Sequence, residues 1–63
     1  MMDVNVTWKR ELGFVATLPN RRVPIIALSL SHLKTRIALM NAHYRVRLDI
    51  AAQDEVNRRK VKV

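Results

Sequence analysis

The only glycine of this chain, Gly13, stands between two apolar segments patterned like paired strands. Before it, Val4, Val6 and Trp8 alternate with Asn5, Thr7 and Lys9, the period of a half-buried strand. After it, Phe14, Ala16 and Leu18 share one side of the chain, and Val15 and Thr17 the other. Glu11-Leu12-Gly13 can turn the backbone, because glycine takes positive φ without the clash a Cβ would meet. A hairpin is the simplest connection between the two segments. It commits the first third of the chain to antiparallel sheet, and the rest must cover that sheet's apolar side.

The next signals supply the cover. Pro19-Asn20 is turn chemistry, since proline presets φ and asparagine tolerates the left-handed region. A third strand is read over Val23 to Leu28. Pro24 has no N–H for a ladder, so this strand either lies at an edge or begins after the proline. Ser29 is placed as a helix N-cap. Residue 32 is His rather than Glu, so no capping box forms. Leu30, Leu33, Ile37 and Met40 then follow the spacing of a core-facing helical stripe, and the helix is expected to fade at Asn41 to His43. Tyr44, Val46, Leu48 and Ile50 alternate with Arg45, Arg47 and Asp49, which predicts a fourth strand.

The expected fold is therefore a small α+β domain over residues 1–50. It has an antiparallel sheet of three or four strands with one amphipathic helix packed on a face, in the order β-β-β-α-β. Residues 51–63 are expected as a basic C-terminal tail or short helix, with acids early and bases late as a helix dipole favours. One long helix from Arg45 to Lys60 is the alternative for that part of the chain. The expected core is Val4, Val6, Trp8, Phe14, Ala16, Ile25, Leu30, Leu33, Ile37, Val46 and Leu48.

Size and composition narrow the function. A domain this small buries only about 60% of the surface its unfolded chain exposes, so a disulfide, a metal or a partner usually adds stability. The 63 residues include no cysteine, which excludes disulfides and thiolate-held metals. A partner or a second copy is then the expected source, and a homodimer and a cytoplasmic setting fit. The N-terminal segment has no continuous apolar core of the kind a signal peptide carries, and Val23 to Leu30 is too short to span a bilayer, so no membrane association is expected.

Catalytic and metal signatures are lacking. His32 and His43 lie about three helical turns apart, beyond the i, i+4 spacing of helical metal sites. Ser29, Ser31 and His32 are neighbours along the chain and do not face one another, and the five scattered carboxylates form no evident acid/base pair. No cofactor is expected, and the protein is read as non-enzymatic. Trp8, Phe14 and Tyr44 are read as core before base-stacking platforms.

Charge carries the functional reading. Twelve Lys and Arg against five Asp and Glu give +7, an excess that favours polyanionic partners. The candidate contact residues are Arg21 and Arg22 in a turn, Arg45 and Arg47 on one strand face, and Arg58, Arg59 and Lys60 with Lys62 near the end of the chain. A guanidinium row of this kind suits phosphate or carboxylate.

Val6-Thr7-Trp8, Glu11-Leu12-Gly13-Phe14-Val15-Ala16-Thr17-Leu18-Pro19-Asn20 and the helix start Ser29-Leu30-Ser31-His32-Leu33 together resemble the HicB-like antitoxin domain, over about residues 4 to 48. The resemblance implies a three-stranded antiparallel sheet, one helix on a face and a fourth strand closing the set. HicB-like domains are commonly acidic and suit a basic RNA-cleaving toxin. The family usually has a Pro-Gly or a Gly before the helix, whereas this chain carries +7 and has neither after Gly13.

The expected function is a small regulatory or inhibitory binding module, antitoxin-like or phage-encoded, that occupies the surface of a partner protein. Its charge would steer it to an acidic protein surface or a nucleoprotein complex. The alternative is a small basic nucleic-acid-binding protein that holds DNA or RNA with Arg45, Arg47 and the basic tail. An edge strand, Val23 to Leu28 or Tyr44 to Ile50, offers a route to a homodimer or to partner pairing.

Overall fold

A computed structural model describes residues 2–60. The elements run β1 (Met2–Lys9), β2 (Gly13–Thr17), β3 (Ile25–Ala27), α1 (Leu30–Met40), β4 (Tyr44–Leu48) and α2 (Ile50–Lys60). The α+β class read from the sequence is the class observed, as a four-stranded sheet in the order β3-β2-β1-β4 with two helices.

The hairpin forms where the glycine allows it. Gly13 has φ +100°, and Leu12 N–H donates to the Lys9 carbonyl (3.1 Å) to close the turn. β1 and β2 then pair antiparallel, with Trp8 opposite Phe14 and Val6 opposite Ala16. Beyond Leu18, whose carbonyl accepts from Arg21 N–H (3.3 Å), the chain returns as β3, antiparallel to β2 with Phe14 opposite Ala27. β3 both starts after Pro24 and forms a sheet edge. Two conditions that each suit proline are met together.

Ser29 caps α1 as expected: its Oγ accepts from His32 N–H (3.2 Å), and Leu33 N–H donates to its carbonyl (3.0 Å). Leu33 and Ile37 are wholly buried, Leu30 is half-buried, and Met40 at the end of the stripe is exposed. Asn41 stops the helix with extended backbone rather than a left-handed turn, and its side-chain oxygen accepts from His43 N–H (3.0 Å).

Two parts of the expected architecture need correction. β4 pairs with β1 in parallel, Val4 opposite Val46 and Val6 opposite Leu48, so the sheet is mixed rather than antiparallel. The reason lies in the connection. Two antiparallel steps leave β3 running in the direction of β1. The 11 residues of α1, about 16 Å long, carry the chain back to the end from which β3 started, so the next strand runs the same way. The second is where the last strand ends: Tyr44–Leu48 is a strand, and Ile50, expected in it, is the first residue of α2. Of the two readings for the end of the chain, tail or short helix, the described residues take the helix, and no continuous helix runs from Arg45 to Lys60.

Asp49 caps α2: its Oδ1 accepts from Ala52 N–H (2.8 Å) while its own N–H donates to the Val6 carbonyl (3.0 Å). One residue thus ends the ladder of β4 and caps the next helix. Both helices pack on the same face of the sheet, α1 against β3 and β2, and α2 chiefly against β1. The core between them is Val4, Val6, Phe14, Ala16, Leu18, Ala27, Leu33, Ile37 and Ala52. Trp8, Ile25, Val46 and Leu48, expected inside, are half-buried against it. No described helix is long and apolar enough to cross a membrane.

Candidate functional site

Because side chains alternate along a strand, a sheet that takes both helices on one face leaves the other bare. The even-numbered residues of β1 meet the core. Asp3, Asn5, Thr7 and Lys9 therefore face the opposite way, beside Val15 and Thr17 of β2, Ile26 of β3, and Arg45 and Arg47 of β4. No described helix covers this open face. Val15, opposite both Thr7 and Ile26, is the one buried hydrophobic residue outside the main core among the described residues.

Register decides how the two β4 arginines differ. Arg45 lies opposite Asp3 and pairs with it, Nε to Oδ1 at 3.3 Å, with both side chains well exposed. Such a surface pair adds under about 1 kcal/mol. Arg47 lies opposite Asn5 and forms no ion pair among the described residues. It lines an open depression of about 180 Å³ with Asn5, Thr7, Thr17 and Asp49. The Asp49 carboxyl is held below its usual range, first by the Thr7 hydroxyl and then by the Ala52 N–H, with burial opposing. The depression thus offers one guanidinium, an amide and two hydroxyls beside a carboxylate already engaged by the fold.

The basic residues of α2 lie elsewhere. Positions 52, 55, 56 and 59 fall on one side of the helix, and that side meets the sheet. Glu55 is only 5% exposed, and two arginines cover it: Arg58 bonds Oε1 through Nε (3.0 Å) and a terminal nitrogen, and Arg59 Nε bonds Oε2 (2.7 Å). The Arg58 hydrogen bond and then that of Arg59 hold its carboxyl below the usual range, against the opposing effect of burial. Arg59 also donates to the Leu28 carbonyl (3.1 Å). Its guanidinium carbon stands 5.1 Å from the Trp8 ring centre and 5.0 Å from that of Phe14, two rings themselves 4.9 Å apart. Arg59 therefore ties α2 to the β3–α1 junction over an aromatic pair, a packing role that a planar, weakly hydrated cation suits.

Of the other candidates, Arg21 reaches from the β2–β3 loop to the Met40 sulfur (2.9 Å) at the end of α1. Arg22 and Lys60 are exposed with no side-chain bond among the described residues, and Lys62 lies outside those residues. The seven described candidates do not form one surface. Arg45 and Arg47 occupy the open face, Arg58, Arg59 and Lys60 the helix on the other side, and Arg21 and Arg22 a loop. Among the described residues no three His, Asp or Glu side chains converge in a way that could hold a metal ion.

The sequence reading missed Glu55 as a buried group. Its signal was the run Glu55, Arg58, Arg59 at i, i+3 and i+4, spacing that brings all three side chains together on a helix. Alternation assigns Asp49 to the strand, and its role as a cap was missed too, although an Asp directly before an alanine-rich helical segment is a common N-cap. Compared with protein-family models, characterised proteins and solved structures, the chain has no match.

Proposed function

We propose that this protein is a non-enzymatic binding module that regulates or inhibits a partner protein by occupying its surface, in the manner of the HicB-like antitoxins it resembles. The observation that carries the reading is the bare sheet face with Arg47 unpaired among polar neighbours. A flat face of this kind offers hydrogen-bonding groups and a positive charge to an acidic protein surface. The carboxylates support it too: Asp3 balances Arg45, Asp49 caps α2 and Glu55 is locked to two arginines, so three of the five acids serve the fold. The succession of three antiparallel-linked strands, a helix and a closing strand agrees with the plan the resemblance implies. A cytoplasmic setting and a homodimer belong to the same reading.

A second reading, binding of DNA or RNA, draws on the +7 charge and on Arg47 with Lys9 on the open face. The pairing of Arg58 and Arg59 with Glu55 leaves it fewer unengaged cations than the sequence suggests. Fluorescence anisotropy against mixed-sequence duplex DNA and RNA at two salt concentrations separates the two. Weak binding is expected at both. Micromolar or tighter binding that collapses with salt would overturn the protein-binding reading.

A further inference from the structure

The two edges of the sheet are unequal. β3 is three residues long, follows Pro24, and has the Leu28 carbonyl beyond it bonded by Arg59 (3.1 Å). Its edge is short and closed at one end, as guarded edges are. β4 has five residues, and no described element pairs with its outer side. Met2 N–H donates to the His43 carbonyl (3.3 Å) and Asp49 N–H to the Val6 carbonyl (3.0 Å). In a parallel ladder of this register the odd-numbered residues of β4 spend their backbone groups on β1. The N–H and C=O groups of Tyr44, Val46 and Leu48 therefore point away from the sheet. The side chains of those three residues are only half-buried, which leaves an apolar strip beside the unpaired backbone.

Charge decides what this edge accepts. A second copy added antiparallel, apolar sides together, would place Arg45 opposite Arg47 when centred on Val46. Shifted by two residues either way, it would place Arg45 opposite Arg45 or Arg47 opposite Arg47. Each register that pairs three or more residues of the strand sets like charges face to face, which opposes pairing. An incoming strand with acidic residues on that side meets no such penalty and gains the opposite-charge pairs instead.

Resting on the protein-binding reading above, we infer that the outer edge of β4 is a strand-addition site for an extended partner segment of alternating composition. Its acidic residues lie opposite Arg45 and Arg47, and its apolar residues lie beside Tyr44, Val46 and Leu48. Backbone hydrogen bonds supply the register-independent part of recognition, and the two arginines select the sequence.

The test is titration of the ¹⁵N-labelled chain with a peptide alternating glutamate and valine, alongside a lysine-for-glutamate version and one of the same composition with its acids blocked together. The acidic alternating peptide is expected to shift the amides of Tyr44, Val46 and Leu48 and slow their hydrogen exchange. The lysine version is expected to bind about tenfold or more weakly. Arg47→Glu, which leaves the Asp3–Arg45 pair intact, is expected to weaken binding of the acidic peptide and strengthen binding of the lysine version, a gain that loss of folding cannot produce. Equal binding of all three peptides would overturn the proposal. Shifts at Asn5, Thr7 and Thr17 without the three edge amides would also overturn it, while leaving the protein-binding reading in place. Tight, salt-sensitive binding of duplex DNA or RNA would overturn both.

Discussion

Gly13→Ala tests the hairpin on which the rest of the fold is built. At φ +100° an L-residue brings its Cβ against neighbouring backbone, a strain of about 1–2 kcal/mol. Here the added Cβ would also stand 2.6 Å from the Ala27 oxygen and 3.3 Å from the Ala27 carbonyl carbon, both backbone atoms of the next strand over. Relief requires β3 to move off β2, which as overpacking costs about 1–3 kcal/mol more. The alanine returns about 0.4–1 kcal/mol by restricting the unfolded chain. The net loss is about 1–4.6 kcal/mol. At 63 residues the whole domain is worth about 3–9 kcal/mol, so the variant loses a large share of its stability. In the middle of that range the melting temperature falls by roughly 15 °C. Circular dichroism during heating and during urea unfolding reads both quantities, with an unchanged urea slope as the sign that the two end states are preserved. Gly13→Asn should lose less, because asparagine bears positive φ better while keeping the Cβ contact. A Gly13→Ala loss below about 0.5 kcal/mol would refute the reasoning, since neither the strain nor the contact would then be real.

The remaining predictions concern charge and packing. Glu55 and Asp49 both have carboxyl pKa values lowered in the folded state. Their contribution is thus complete above the unfolded values near pH 4 and disappears as the pH falls through the lower folded ones. Melting temperature should drop steeply in acid, and Glu55→Gln should be less stable at neutral pH and flatter in acid; an unchanged profile would mean the Arg58–Glu55–Arg59 cluster contributes nothing. Leu33, wholly buried on α1, should cost about 2–5 kcal/mol as Leu33→Ala, whereas Leu39→Ala, 83% exposed on the same helix, should change stability by less than about 0.5 kcal/mol. Equal costs in urea unfolding would show that the helix presents a different face.

How much was legible depended on the range of the interaction. Alternation marked β1, β2 and β4 because each strand has one apolar side, and Leu33 and Ile37 marked the inner side of α1 for the same reason. The Ser29 cap and the Gly13 turn were legible because they involve neighbours in the chain. The site was less so. Arg45 and Arg47 were seen as a pair on one strand face, yet only the register with β1 sets Asp3 against one and Asn5 against the other. Arg58, Arg59 and Lys60 read as one basic cluster: the i, i+3 and i+4 spacing does bring Glu55 beside two of them, but only the packing of α2 on the sheet turns Glu55 inward.

From the sequence alone came the four strands, the first helix and their apolar sides, since these follow from backbone sterics and from patterns a few residues long. It also set the sum of charge, +7, and excluded disulfides. Tertiary structure decided the rest. β4 is parallel because α1 returns the chain across the sheet, and α2 is held because Ala52, Glu55 and Arg59 find the core and the Trp8–Phe14 pair. Alternation states that a strand has two sides but not which neighbour it meets or in which direction. Charge pairing between Asp3 and Arg45, 42 positions along the chain, exists only once that neighbour is chosen.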